Sequence, residues 1–446
     1  MREIRVCAII SDMRTKIAID GLKQLQYEIR EIVDYGHALR DMGVPMTWEN
    51  IGDPVDAGEK IEPWIKEIVA GLTAQERSWA YGPSRGNLHS REFLADIVSK
   101  REGSVKIGPQ DILFFNGIAD AVDKIYDLIR KDARELMPSP SYPTHTSNEG
   151  KRGDYGYLQF KLRPENNWQP DLEEIENKVK YNPQVIAIAI VNPDNPTGTV
   201  YPRKTLEGIV DIARRYGLFL ICDEIYAHIC YNGAETLHLS QVIGDVPGLA
   251  LRGISKDVPW PGSRCGWIEM LNANANPEFR EYCDSLIKSK MMEVCSTTLP
   301  QLAVPLIYGD PRYPALKERR AKMFEKRANQ VYEFFRDNVP ELIVGRPQGA
   351  FYFSAVFRDG VLNDRQTMRI ENPVIREFVE KSVLGVAPDK RFVHYMMGSE
   401  GVCVTPLTGF HTDIPGFRLT TLRVDDKDRK RVLERIRDSI KAYTAS

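Results

Sequence analysis

Apolar positions along the chain change period several times, and each change predicts an element. Over residues 20–43, Leu22, Leu25, Ile29, Ile32 and Val33 recur at helical spacing and the run closes on a glycine, which predicts one amphipathic helix. The turn-rich Asn50-Ile51-Gly52-Asp53-Pro54 breaks it, and a second helix is expected over 63–72. Leu113-Phe114-Phe115 reads as a short buried strand halted by Asn116-Gly117, with a helix over about 119–130 behind it. Strand, glycine turn and helix together place backbone N–H groups where an anion can sit.

Val185–Val191 is apolar without interruption and runs into Asn192-Pro193, the pattern of a parallel strand covered on both faces. A helix over 204–216 follows, with Leu206, Ile209, Val210 and Ala213 on one side, and then a buried strand over 218–222 with Asp223 at its carboxyl end. Alternating strand and helix predict an α/β fold. Ligands of such sheets gather at the carboxyl ends of the strands, where Asn195 and Asp223 both fall. A long charged helix over 311–338 reads as a bridge to a smaller domain, with strands over 349–353 and 417–422. The closing helix, over 425–442, turns Val432, Leu433, Ile436 and Ile440 inward. A chain of 446 residues exceeds one small core. The expected division is an N-terminal segment 1–55 that joins the small domain, a large domain 56–310 and a small domain 311–446.

Composition narrows the partners. Apolar and charged fractions of 42% and 27% are ordinary for a globular chain, and a net charge of −2 gives no electrostatic reason to expect nucleic acid or an anionic membrane. The seven cysteines are scattered with no C-x-x-C pair, as suits reduced thiols. The first twelve residues lack a signal-peptide pattern, and Val185–Val191 is too short to cross a bilayer, so the expected location is the cytoplasm. The seven histidines form no ligand motif, so no metal is expected.

The candidate chemistry lies in four residues in a fixed order: Asn195 in Asn-Pro-Thr-Gly, Asp223 in Asp-Glu-Ile-Tyr, Lys256 in Gly-Ile-Ser-Lys and Arg264 in Pro-Gly-Ser-Arg-Cys-Gly-Trp. Taken singly they are a turn, a helix cap, a surface lysine and a loop arginine. Taken together they suit pyridoxal 5′-phosphate. Lys256 offers an amine to its aldehyde, Asp223 an acid partner to its ring nitrogen, Asn195 a donor to its ring oxygen and Arg264 a guanidinium to its phosphate.

With Asn50-Ile-Gly-Asp-Pro54 and Arg418-Leu-Thr-Thr-Leu-Arg-Val-Asp-Asp426, the pattern resembles the class I and II aminotransferases of the fold type I pyridoxal-phosphate group, and within them the bacterial alanine-aminotransferase branch. The resemblance implies a large domain with a mostly parallel seven-stranded sheet between helices, a smaller α+β domain, and a homodimer with shared active sites. It implies that Tyr226 joins Asn195 at the ring oxygen and that Tyr142 stacks on the ring. Ile118 and Ala119 N–H groups, with Ser255, would meet the phosphate beside Arg264, and Tyr81 would reach the phosphate of a neighbouring subunit. Gly253 stands where many members carry a hydroxyl residue, one phosphate contact fewer. Arg418 would hold the substrate α-carboxylate, with the backbone of Gly52 beside it. Tyr27 and Arg30 match a covering segment of the alanine branch, although from the spacing alone they read as one face of a surface helix; Glu224 reads as structural. The implied reaction is a ping-pong exchange between an L-amino acid and a 2-oxo acid such as 2-oxoglutarate or pyruvate. No arginine occurs in Met291–Thr298, which favours alanine or another small or apolar donor. An aspartate-type aminotransferase and a lyase of the same fold are the alternatives.

Overall fold

In the computed structural model, which describes residues 20–25, 27–153 and 156–446, Val185–Val191 is an inner strand of a seven-stranded sheet. The order across the sheet is Ile112–Phe115, Gly266–Leu271, Gly248–Gly253, Phe219–Asp223, Val185–Val191, Arg134–Ser139 and Gln159–Lys161. All neighbours pair parallel except at Gly266–Leu271, which runs antiparallel to both its partners. The readings of Met1 to Asp12 and of Cys7 fall outside the described residues.

The unbroken apolar run has a direct cause. Ile188 and Ile190 pack on one side of the sheet with Leu220, Cys222 and Leu206, while Ala187 and Ala189 pack on the other with Ile221, Leu249 and Leu251. Both faces are covered, so a polar residue at either parity would be buried without a partner. Helix Arg203–Tyr216 supplies part of one cover and stops at Gly217, whose φ of 66 closes the last turn.

A four-stranded antiparallel sheet, ordered Thr405–Pro406, Gly416–Thr420, Tyr352–Phe357 and Leu342–Val344, lies in a second core with Phe335, Phe353, Phe392, Phe417, Ile436 and Tyr443. Helix Glu28–Asp41 contributes Ile32 and Leu39 to this core, and the 26-residue helix Tyr313–Asn338 contributes Val331 and Phe335. The two sheets meet near the Asn-Pro-Thr-Gly turn, where the Ser354 hydroxyl donates to the Pro196 carbonyl at 2.8 Å.

Two expectations are corrected here. Residues 20–43 are not one helix: a 3-10 turn Asp20–Gln24 precedes helix Glu28–Asp41, and Leu22 and Leu25 are about half exposed instead of continuing the apolar face. The strand expected over 349–353 begins at Tyr352: Gly349 makes an isolated bridge to Cys230, and Ala350 and Phe351 form the turn that leads into the strand.

Candidate active site

The carboxyl edge of the large sheet collects side chains from five chain segments. Asp223 ends its strand, Asn195 lies in the turn after Val191, Tyr142 follows the strand ending at Ser139, and Ser255 and Lys256 follow Gly253. The antiparallel strand explains the fifth: it starts at the same edge, and so brings Arg264, just before Gly266, to the same place. With Gly52 and Arg418 these residues line a cavity of about 720 Å³, to which Ile118, Ala119, Tyr226, Tyr27, Arg30, Asp53, Thr144 and Tyr352 also contribute.

Lys256 Nζ donates to the Gly52 carbonyl at 2.5 Å and lies 5.6 Å from the Phe351 ring centroid. Burial lowers its pKa to about 8; Asp53 opposes this, and Arg418 and Arg264 add to it. The amine is therefore unprotonated in useful amounts near neutral pH, as a nucleophile or base requires. One expected result is that cofactor loading of the apoprotein is half-maximal near pH 8 and slower below it, because the protonated amine has no lone pair. Stopped-flow absorbance across pH would check it, and a rate still climbing at the value of an ordinary lysine, about 10.4, would refute it.

Asp223 is buried, with Oδ1 accepting from the Ile225 N–H at 3.0 Å and Oδ2 3.3 Å from His145 Nε2. His145 Nδ1 is in turn 3.2 Å from the Tyr126 hydroxyl. A carboxylate at Oδ2 assigns the proton to Nε2 and leaves Nδ1 to accept from the tyrosine. Asn195 Oδ1 accepts from Arg418 Nη1 at 3.2 Å, so its amide NH₂ is the end available to another acceptor. The Tyr226 and Tyr352 hydroxyls are 3.0 Å apart, and burial raises the Tyr226 pKa, so this phenol keeps its proton.

At the helix Ile118–Asp127, Gly117 is the N-cap with a φ of 86, and a Cβ there would lie 2.5 Å from Arg264 Nη2. Arg264 itself has a φ of 48, and among the described residues its guanidinium makes only long bonds, to the carbonyls of Pro261 and Asn116 at 3.3 and 3.4 Å. A helix N-terminus, a guanidinium and the Ser255 hydroxyl around one end of the cavity form an anion cradle.

Arg418 is 1% exposed in the middle of the small sheet. It donates to the Asn50 carbonyl and to Thr405 Oγ1, lies over the rings of Tyr352 and Phe410 at 4.4 and 5.0 Å, and leaves its Nε without a protein partner. A buried cation that lines a cavity and keeps one donor unpaired among the described residues suits a carboxylate ligand.

The profile of the family "Aminotransferase class I and II" matches residues 47–436. The chain belongs to that family. An uncharacterized aminotransferase of Methanocaldococcus jannaschii is 47% identical over 431 residues, covering 97% of this chain and 99% of its own. The glutamate-pyruvate aminotransferase AlaA of Escherichia coli is 27% identical, covering 91% and 93%. The solved alanine aminotransferase of Pyrococcus furiosus superposes with a TM-score of 0.81 at 26% identity, covering 95% and 99%. The chain is a pyridoxal-phosphate-dependent aminotransferase. The Gly117 cradle, which any side chain at that position would fill, and the buried Asp223 fit the phosphate and the ring nitrogen of that cofactor.

Among the residues expected from sequence to bind cofactor or substrate, Tyr81 alone lies away from the cavity, with 85% of its surface exposed. Tyr27 and Arg30 do not lie on a plain surface face: both line the cavity, and the Tyr27 hydroxyl is 2.9 Å from that of Tyr142. Sequence reasoning missed His145 and Tyr352. The first stands three residues after Tyr142, within one helical turn, and the second ends Gly349-Ala-Phe-Tyr; neither carries a signal without its distant partner.

Proposed function

We propose that this aminotransferase takes its amino group from L-alanine or another small or apolar L-amino acid and gives it to a 2-oxo acid, 2-oxoglutarate or pyruvate. The observation that carries the reading is the single cavity that joins Lys256, Asp223 and Arg418, with Tyr27, Ile29, Ile51 and Tyr142 around it. When bound, pyridoxal phosphate supplies an aldehyde for the substrate amine and a ring that accepts the electrons of the broken Cα–H bond. Arg264, Ser255 and the N–H groups of Ile118 and Ala119 hold its phosphate, and Asp223 holds the proton on its ring nitrogen. Asn195 and Tyr226 would donate to its ring oxygen, and Tyr142 would cover the ring. Arg418, helped by the Gly52 backbone, would fix the substrate carboxylate and so aim the Cα–H bond, and Lys256 would take and return the proton at Cα.

A two-substrate cycle needs a place for the distal carboxylate of 2-oxoglutarate. Arg30, at the cavity, supports that acceptor, the positive group that Met291–Thr298 does not contain. Exposed Trp79, Tyr81, Met292 and Val294 support a homodimer in which Tyr81 reaches the partner's phosphate. Among the described residues no helix is long and apolar enough to cross a membrane, and the proposed location is the cytoplasm.

The test is visible absorbance of the purified, cofactor-loaded protein. Alanine bleaches the band and 2-oxoglutarate restores it, with aspartate much slower. In Arg30→Ala the restoring step with 2-oxoglutarate weakens by on the order of tenfold in kcat/KM, while that with pyruvate is unchanged. Faster bleaching by aspartate than by alanine would refute the donor assignment, and stoichiometric ammonia release would establish a lyase instead.

A further inference from the structure

Beneath the cavity, and outside its lining, lies a buried set of charged and hydrogen-bonding groups that the reaction as derived above does not use. Its placement is specific. Glu224 follows Asp223 in the chain, and Asp257 follows Lys256. Both carboxylates turn away from the cavity and are buried. Glu224 accepts from the Leu239 N–H at 2.5 Å and from Arg252 Nη1 at 3.3 Å, and its Oε2 is 2.7 Å from His238 Nδ1. Asp257 Oδ2 accepts from the hydroxyls of Tyr308 and Tyr313, at 2.6 and 3.1 Å, and lies 2.9 Å from His228 Nδ1.

His228 joins the two halves. Its Nε2 lies 3.3 Å from Arg252 Nη2, and its Nδ1 faces Asp257. Arginine has only donors, so Nε2 must accept; the ring proton is then on Nδ1 and is donated to the carboxylate. Burial and the neighbouring Arg252 and Lys317 lower the His228 pKa to about 4 against the pull of Asp257, so the ring is neutral across the working range. Burial is the largest single influence on Asp257 and acts to raise its pKa, but His228, the Tyr308 hydroxyl and Arg252 together outweigh it and the carboxylate is held below its usual value. The groups that face His228 are Arg252, Asp257, Tyr308, Tyr313, Lys317 and His238.

A continuous path therefore runs from Asp223 through Glu224, Arg252, His228 and Asp257 to Lys256. His228 is also two residues beyond Tyr226, so the same ring ends the loop that carries both Asp223 and Tyr226. The Lys256 loop is pinned independently by Arg320, which donates to the carbonyls of Lys256 and Asp257 at 2.7 and 2.9 Å and is clamped by Glu59 at 2.5 Å. We propose that His228 is a positioning residue for the transamination, its fixed, neutral imidazole tying the Asp223–Tyr226 loop to the Lys256 loop. It touches neither substrate nor cofactor. The inference rests on the assignment of Lys256 and Asp223 made above.

Releasing this link lets the Lys256 nitrogen shift away from Arg418 and Arg264, whose positive charges disfavour a proton on it. The pH midpoint of the visible band of the cofactor-loaded enzyme then rises, and the aim of the amine at Cα is lost. His228→Ala is expected to raise that midpoint by about half a unit or more and to lower kcat on the order of ten- to a hundredfold, with KM for alanine within about twofold. His228→Asn keeps a donor on the Asp257 side and is expected to recover most of both losses. If His228→Ala does not fold, Asp257→Asn, which keeps the shape and removes the charge, carries the same two expectations. A midpoint and kcat equal to those of the unmodified enzyme in either variant, whatever the change in thermal midpoint, would overturn the proposal and leave His228 a packing residue. A different result exposes failure of the underlying assignment: an unmodified enzyme whose visible band survives in Lys256→Ala.

Discussion

Lys256→Ala loses the pH-dependent visible band of the loaded enzyme, and its turnover falls by at least about four orders of magnitude, the upper range for removing a positioned proton carrier. The expectation follows from geometry. Lys256 is the amine in the cavity on the Asp223 side, its pKa is already lowered to about 8, and among the described residues no other lysine lines the site. Alanine deletes the side chain without burying a new polar group, so the fold should persist and the thermal midpoint should stay near that of the unmodified protein. Single-turnover absorbance with alanine would measure the loss. Turnover within tenfold of the original would mean that another group carries the proton.

Asp223→Asn gives the second largest effect, because it removes charge and keeps shape. The amide can still accept from the Ile225 N–H as the carboxylate does at 3.0 Å, and it can still meet His145. What it cannot do is stabilise a proton on the ring nitrogen. The expected result is a fall in kcat of about 10² to 10³, the range for one preorganised electrostatic contact, with little change in KM for alanine. Steady-state kinetics at saturating 2-oxoglutarate would separate the two parameters. A rise in KM with kcat preserved would place Asp223 in binding and not in the chemical step.

The parts of the fold that were legible in the sequence are those whose physics is local. Val185–Val191 declares itself because both sides of the strand are covered, and Arg203–Tyr216 because one face alone is buried and Gly217 ends it. Strand Arg134–Ser139 does not, since Pro138 and the charged Arg134 and Glu135 obscure its period while Glu135 is satisfied by Arg152 from the helix that follows, Pro143–Gly153. Helix Thr298–Tyr308 contains Pro305 and is mostly buried all round, so neither propensity nor amphipathicity marks it. The same distinction holds at the site. Asn195, Asp223, Lys256 and Arg264 sit in motifs whose flanking residues carry information. Tyr352 and His228 acquire their surroundings from segments more than twenty residues away, which no spacing rule reaches. The misread helix over 20–43 has its own reason: Leu22 and Leu25 keep the helical period, but the chain leaves the helix before Tyr27 so that this tyrosine can bond Tyr142 across the cavity.

Arg418 also bears on which molecules the enzyme turns away. Its guanidinium already has stand-ins: the Asn195 amide oxygen, the Asn50 carbonyl, the Thr405 hydroxyl and two aromatic faces. An incoming acid displaces these place-holders by offering a full negative charge, whereas a simple amine has nothing to offer in exchange. If Arg418 holds the substrate carboxylate as proposed, rejection of carboxylate-free amines is a competition with the protein's own atoms, and no steric wall is needed. Retraining the scaffold toward such amines would call for a joint exchange of Arg418 and Thr405, because an apolar residue at 418 alone would take from the Asn50 carbonyl and the Asn195 oxygen the donor they share.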